Sequence, residues 1–306
     1  MSLADNPSSG TPFALRWRRL RRHTLALISL TFLAVLVTLS FAAPLIADLR
    51  GVDPAATDLF RRYDPPSAAY WLGTDELGRD LFQRLLNGGR VSLLVGLMGA
   101  VLSAAIGAVI GVIAGYVGGR FDAVLMRITD GVIALPLLPL LIVMAAIDPR
   151  KLGVPDHVFH SETFSLYRIV VIVALTGWTT VARLVRAETL SLKARDFTRA
   201  ARAVGATPGR IMFRHILPNA AGSLVVAMTI SIGGLILLES TLSFLGLGIQ
   251  PPAASWGNML TGAQELLHDA PMLAVWPGLL IFLTVIAFNF VGDGLQDALD
   301  PRSERR

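Results

Sequence analysis

Six apolar runs, each long enough to cross a bilayer, divide this chain. A spanning helix needs about 20 mostly apolar residues, because in hydrocarbon each backbone polar group must be bonded within its own segment or to a paired one. The runs cover residues 24–46, 91–117, 128–147, 167–185, 220–247 and 272–291. The sequence is 53% hydrophobic and 16% charged, whereas an average soluble domain carries about 25% charged residues. Together these exclude a soluble globule and predict an all-α membrane protein with six transmembrane helices. The fourth run is the weakest, because Gly177, Trp178, Thr179 and Thr180 interrupt it. Pro136 and Pro139 lie inside the third, where each removes a backbone donor and predicts a kink. A broken helix along a path and a static kink fit that pattern equally. The first run follows Arg16, Arg18, Arg19, Arg21 and Arg22, as a signal peptide would, but it outlasts the 7–15 residues of a signal core. It reads as a retained anchor.

Cationic residues orient the spans. With the N-terminus inside, 18 of the 27 Lys and Arg residues fall on inner segments. Positive residues favour the cytoplasmic side, so both termini are expected there. The net charge of +5 therefore reads as membrane topology, and no nucleic-acid partner is expected. Arg127 and Asp130, near the inner end of the third run, read as topology and capping residues. The absence of Cys excludes a thiolate nucleophile, a Cys-ligated zinc and a disulfide. No G-x-x-x-x-G-K-[ST] occurs, so the chain is not expected to bind or hydrolyse ATP. His157 and His160, with Asp156 and Glu162 nearby, form an HxxH pair that falls short of a zinc-enzyme signature and reads as a solvated loop. No metal or other cofactor is expected in this chain.

Four features remain. Gly107, Gly111 and Gly115 recur every four residues and share one helix face, a pattern that lets helices approach closely in lipid. Glu239 ends a long apolar run. An ionisable group at membrane depth faces a cavity or a partner, so Glu239 either lines a path near the outer half of its span or pairs with a neighbouring helix. In the first outer segment Thr74 reads as a helix N-cap, with Leu77, Leu81 and Leu85 as an apolar stripe and Asn87-Gly88-Gly89 as the stop. That amphipathic helix could rest on the interface or receive a partner.

The fourth feature is residues 189–218, which lie within a stretch holding eight Lys and Arg residues from Arg183 to Arg214. Asp196 reads as an N-cap; Phe197, Ala200, Ala201 and Val204 share one face, and Arg195, Arg199 and Arg202 lie opposite. Gly205 suits a left-handed helix end. Thr207 and Pro208 open a second helix, with Arg210 and Arg214 one turn apart, Met212 and Ile216 likewise, and Pro218 as its stop. Helices this short are marginal in water and need a surface. Lipid headgroups and a cytoplasmic protein satisfy that need equally.

This stretch resembles the "EAA" loop of binding-protein-dependent ABC importer permeases, which runs Glu-Ala-Ala, three residues, Gly, nine residues, Ile-x-Leu-Pro. Ala200, Ala201, Gly205, Leu217 and Pro218 match. Arg199 stands in place of the Glu and His215 in place of the Ile. "LGTDELGRDLFQRLLNGGRVSLLVG" from Leu72, "AGYVGGRFDAVLMRITD" from Ala114 and "LESTLSFLGLGIQPPAASWGNML" from Leu238 are similar to the C-type subunit of the dipeptide, oligopeptide and nickel transporters in that family. The resemblance implies the type I importer permease fold in a bacterial inner membrane. It implies a tail over residues 1–23, a first span over 24–46, a periplasmic segment over 47–90, a permease core over 91–292 and a cytoplasmic tail over 293–306. It further implies a B-type permease partner, two ATP-binding subunits that hold ATP and Mg, and an extracytoplasmic substrate-binding protein. Ala206, Thr207 and Arg210 join the matched residues in the loop that would couple to those subunits. Peptides are the implied cargo, with nickel chelates or oligosaccharides as alternatives. A membrane enzyme and a passive channel are the competing classes.

Overall fold

One helix of 37 residues, Leu81–Val117, organises the molecule. Its N-terminus is fixed by Asp80, whose side chain accepts from the Gln83 amide at 2.9 Å, a capping bond that satisfies one orphan donor. The computed structural model describes residues 21–299, apart from 22, 55, 160 and 263–269. In order, the helices used below are α1 (Thr24–Phe41), α2 (Ala43–Arg50), α3 (Leu81–Val117), α4 (Gly119–Ala134), α5 (Leu137–Ala146), α6 (Glu162–Lys193), α7 (Asp196–Ala203), α8 (Pro208–Phe244) and α9 (Met272–Leu299). Among the described residues the chain is all-helical, with only an isolated bridge between Thr74 and Asp80.

α3 and α6 make the most extensive contact, α8 packs on both, α9 lies against α8, and α1 against α9 and α3. On α1 the residues Ala26, Ser29, Leu33, Leu36 and Ser40 are buried along one stripe, while Leu25, Ile28 and Val35 point outward. An exposed apolar stripe on a helix this long is what a lipid-facing surface requires. Among the described residues five helices are long and apolar enough to cross a membrane; the sixth candidate is the α4–α5 pair, bent by 88°.

The bend revises the third span. Pro136 precedes α5, and the residue before a proline is pushed out of the helical region, so Leu135 adopts extended backbone and the apolar run splits. The fourth span has the opposite outcome. Gly177 to Thr180 do not interrupt it: α6 runs through all four, with Trp178 donating its indole N–H to the Leu175 carbonyl at 3.0 Å and Thr179 its hydroxyl to Thr176 at 3.2 Å. The first run breaks after Phe41, with Pro44 in the opening turn of α2.

The amphipathic helix expected from Thr74 is absent. Thr74 instead staples a loop: its hydroxyl accepts from the Asp64 amide at 2.9 Å and donates to the Arg61 carbonyl. Nor do Gly88 and Gly89 stop α3. A Cβ on Gly89 would lie 2.8 Å from the Trp256 ring, and one on Gly88 3.2 Å from the Ser255 carbonyl carbon. These glycines give way to a loop packing on the helix, so they are contact residues within it. Residues 50–84 form a knot on the end of α3. Arg50 pairs with Asp80 at 2.7 Å and lies over Trp71 at 4.4 Å. Asp75, almost fully buried, holds Arg79 at 2.7 Å and Arg84 at 3.1 Å.

Candidate functional site

The arginine-rich loop is built on a helix turn that sequence spacing does not announce. α7 begins one residue earlier than expected: Arg195 takes the N-cap position and Asp196 sits in the first turn, where its charge complements the helix dipole. Gly205 has φ of +84°, a conformation costly for side chains with a Cβ. Thr207 caps the next helix and Pro208 opens it. That helix does not stop at Pro218. It passes through a π turn at Ile211–Ile216 and continues as the fifth membrane helix. The Leu217 amide bonds to the Met212 carbonyl, so the helix is already widened when the proline, which has no amide, is reached.

The π turn also changes which residues face inward. Five positions apart in an α-helix, Ile211 and Ile216 would diverge; the wider turn aligns them, and both are buried. They enter a cluster with Ala108 and Val112 of α3 and Val181 and Val185 of α6. Ala201, Ala206, Met212 and Leu217 pack against it while partly buried. Thr198 is buried and donates to the Leu192 carbonyl at 2.8 Å. Phe197, Ala200 and Val204 therefore remain outside, Val204 at 89% exposure. Arg199 is exposed, 3.9 Å from Asp196, and Arg210 and Pro218 are exposed too.

Gly107, Gly111 and Gly115 all face α6 alongside this cluster, two of them touching its Val181 and Val185. A Cβ on Gly107 would lie 2.6 Å from the Trp178 carbonyl oxygen, one on Gly111 2.5 Å from that of Ala182, and one on Gly115 2.8 Å from Thr189. Four cations finish the assembly. Arg186 of α6 grips Asp122 of α4 with two bonds of 2.5 and 2.6 Å. Arg183 reaches Asp130 at 2.5 Å, so Asp130 ties α4 to α6. Lys193 donates to the Tyr116 carbonyl, and Arg202 of α7 lies 5.9 Å from the Tyr116 ring. None of these pairings carries a signature in local spacing.

Glu239 lies at the far end of α8 and is fully enclosed. The Ser92 hydroxyl donates to its carboxyl group at 3.1 Å and the Ser243 hydroxyl at 2.7 Å. Ser92 accepts from the Trp256 amide at 3.2 Å, and Ser243 from the Ile249 amide at 3.0 Å. The carboxyl group thus anchors both ends of the segment from Ile249 to Trp256. The bonds to Ser92 of α3 and to the serine one turn further along α8 leave its side chain fully buried. His157 lies in a single turn at Asp156–Phe159, and His160 falls outside the described residues.

A bundle of long apolar helices, with a basic loop packed against one end of it, defines a multi-pass membrane protein. Residues 107–305 match the family model described as binding-protein-dependent transport system inner membrane component. Residues 11–66 match the N-terminal TM domain of oligopeptide transport permease C. The chain belongs to this family and is a transmembrane permease of an ABC importer in the inner membrane. It is similar to the oligopeptide transport system permease protein OppC of Bacillus subtilis, with 37% identity over 93% of this chain and 88% of that one. The dipeptide transport system permease protein DppC of the same organism is 40% identical over 94% and 85%. The glutathione transport system permease protein GsiD of Pectobacterium atrosepticum is 40% identical over 95% and 92%.

Proposed function

We propose that this chain forms half of the pore of an ATP-driven importer of short peptides, with both termini in the cytoplasm. The other half is a B-type permease of similar fold. Two ATP-binding subunits, which hold ATP and Mg, dock on α7, and an extracytoplasmic binding protein delivers cargo at the opposite end. This chain itself needs no cofactor. The observation that carries the reading is the outward presentation of Phe197, Ala200 and Val204 on a helix whose base is buried between α3 and α6. Three relatives named for oligopeptide, dipeptide and glutathione transport support the choice of cargo.

The geometry suits force transmission. A partner that moves α7 also moves Ile211 and Ile216, and these bear on α3 and α6 through a close-packed cluster. The glycine seam makes those two helices respond as one body, and the salt bridge from Arg186 to Asp122 carries the motion to α4. Arg199 replaces the acid of the family pattern, so the ATPase surface opposite it is expected to offer an acid or a carbonyl.

Val204→Arg tests docking without disturbing the fold, since the side chain is already exposed. A charge forced into an apolar contact is expected to weaken ATPase co-purification about tenfold or more and to stop uptake, with the permease present at normal levels. Unchanged co-purification and uptake would overturn the docking assignment.

A further inference from the structure

A cleft of about 660 Å³ opens beside the knot at the start of α3. Its volume falls in the range of small-molecule sites, about 300–1,000 Å³. α3 contributes Arg84, Asn87 and Arg90 to one wall, with Leu94 and Met98 deeper along the same helix. α6 contributes Thr163, Leu166 and Tyr167, and the segment pinned by Glu239 closes the side with Ile249, Pro252 and Ala253. Among the described residues no Asp or Glu lines it. The two arginines differ in what they already hold. Arg84 is committed to Asp75 at 3.1 Å and is largely buried. Arg90 is exposed, and among the described residues its only close charge-related neighbour is the Phe41 ring, 5.8 Å away. The cleft therefore lacks one negative charge, has an amide donor at Asn87 one turn from each arginine, and carries an apolar floor.

We propose that this cleft receives the C-terminal carboxylate of a short peptide on Arg90, with the adjoining side chain on the floor formed by Leu94, Met98 and Leu166. The inference rests on the peptide-importer reading and adds to it a place in this chain where cargo released from the binding protein is first held. A guanidinium pairs with a carboxylate through two parallel N–H donors, which a C-terminal amide cannot match. Asn87 can donate to the same group or to the last peptide carbonyl.

The experiment uses the complete transporter in proteoliposomes, with its binding protein, and compares uptake of one dipeptide with that of its C-terminal amide. The binding protein is the same in every arm, so a changed ratio belongs to this chain. Arg90→Gln is expected to lower the acid-to-amide uptake ratio about tenfold, equivalent to about 1.4 kcal/mol, and Arg90→Lys to keep most of it. Thr163→Glu, at an exposed position across the cleft, is expected to lower the same ratio by adding the missing negative charge; it decides the matter if the Arg90 variant does not assemble. A ratio unchanged in the variants that assemble would overturn the proposal. So would an intact ratio accompanied by an altered requirement for anionic lipid in the vesicles, which would reassign Arg90 to a headgroup. Wild-type transporter that carries neither compound would sink the peptide reading and this inference with it, whereas peptide uptake with an unmoved ratio sinks the inference alone.

Discussion

Gly111→Val is expected to remove the folded permease from the membrane. The new Cβ would lie 2.5 Å from the Ala182 carbonyl oxygen, 2.9 Å from Val185 Cβ and 3.0 Å from the Arg186 nitrogen. Two of these are backbone atoms and cannot rotate away, so α3 and α6 must separate. Overpacking a well-packed site costs about 1–3 kcal/mol and sometimes more, and a rigid backbone clash belongs at the upper end. Separation also loosens the seats of Ile211 and Ile216 and the grip of Arg186 on Asp122. In lipid there is no hydrophobic drive to restore the contact by another route. Gly131 has nothing within 4 Å of its would-be Cβ, so Gly131→Ala serves as the control and is expected to be nearly silent. Membrane abundance and thermal unfolding of the purified complex read both variants. Equal stability of Gly111→Val and wild type would show that the seam is not under compression.

Glu239→Ala is expected to detach the segment from Ile249 to Trp256. Truncation removes the acceptor for Ser92 and Ser243, and each buried hydroxyl proton left without an acceptor costs about 1–3 kcal/mol. Together with the cavity left by the side chain, a loss of about 3–5 kcal/mol follows. Glu239→Gln keeps a side-chain carbonyl of the same shape, and the serine hydroxyls can rotate to pair with its amide, so about half of that loss should be recovered. Protease accessibility of the Ile249–Trp256 segment distinguishes this from global unfolding. A segment that stays protected in Glu239→Ala would mean that Trp256, whose indole also bonds to the Leu85 carbonyl at 3.0 Å, holds it unaided.

The long helices were legible because apolar length at membrane depth leaves few alternatives. The loop was legible in part. Gly205, Thr207 and Pro208 are local conformational signals, and their reading matches the backbone found there. The expected close at Pro218 was wrong because a widened turn of six residues has no sequence signal of its own. Asn87-Gly88-Gly89 carried the composition of a helix stop, yet the decisive partner, Trp256, lies far along the chain. Thr74 likewise had the look of a cap while its bonds go to Asp64 and Arg61. Long-range pairs such as Ser92 with Glu239 and Asp122 with Arg186 depend on which helices adjoin, which periodicity within one helix does not reveal.

The π turn at Ile211–Ile216 makes the spacing of the basic loop a property of chain length as much as of chemistry. An α-helix turns about 100° per residue. Deleting one residue there would restore an ordinary helix and set the two isoleucines four positions apart, still on one face, so the outward face of α7 would keep its direction relative to α8. Closing the turn with every residue kept would instead rotate the outward face of α7 by about 100° and leave its docking side chains present but misdirected.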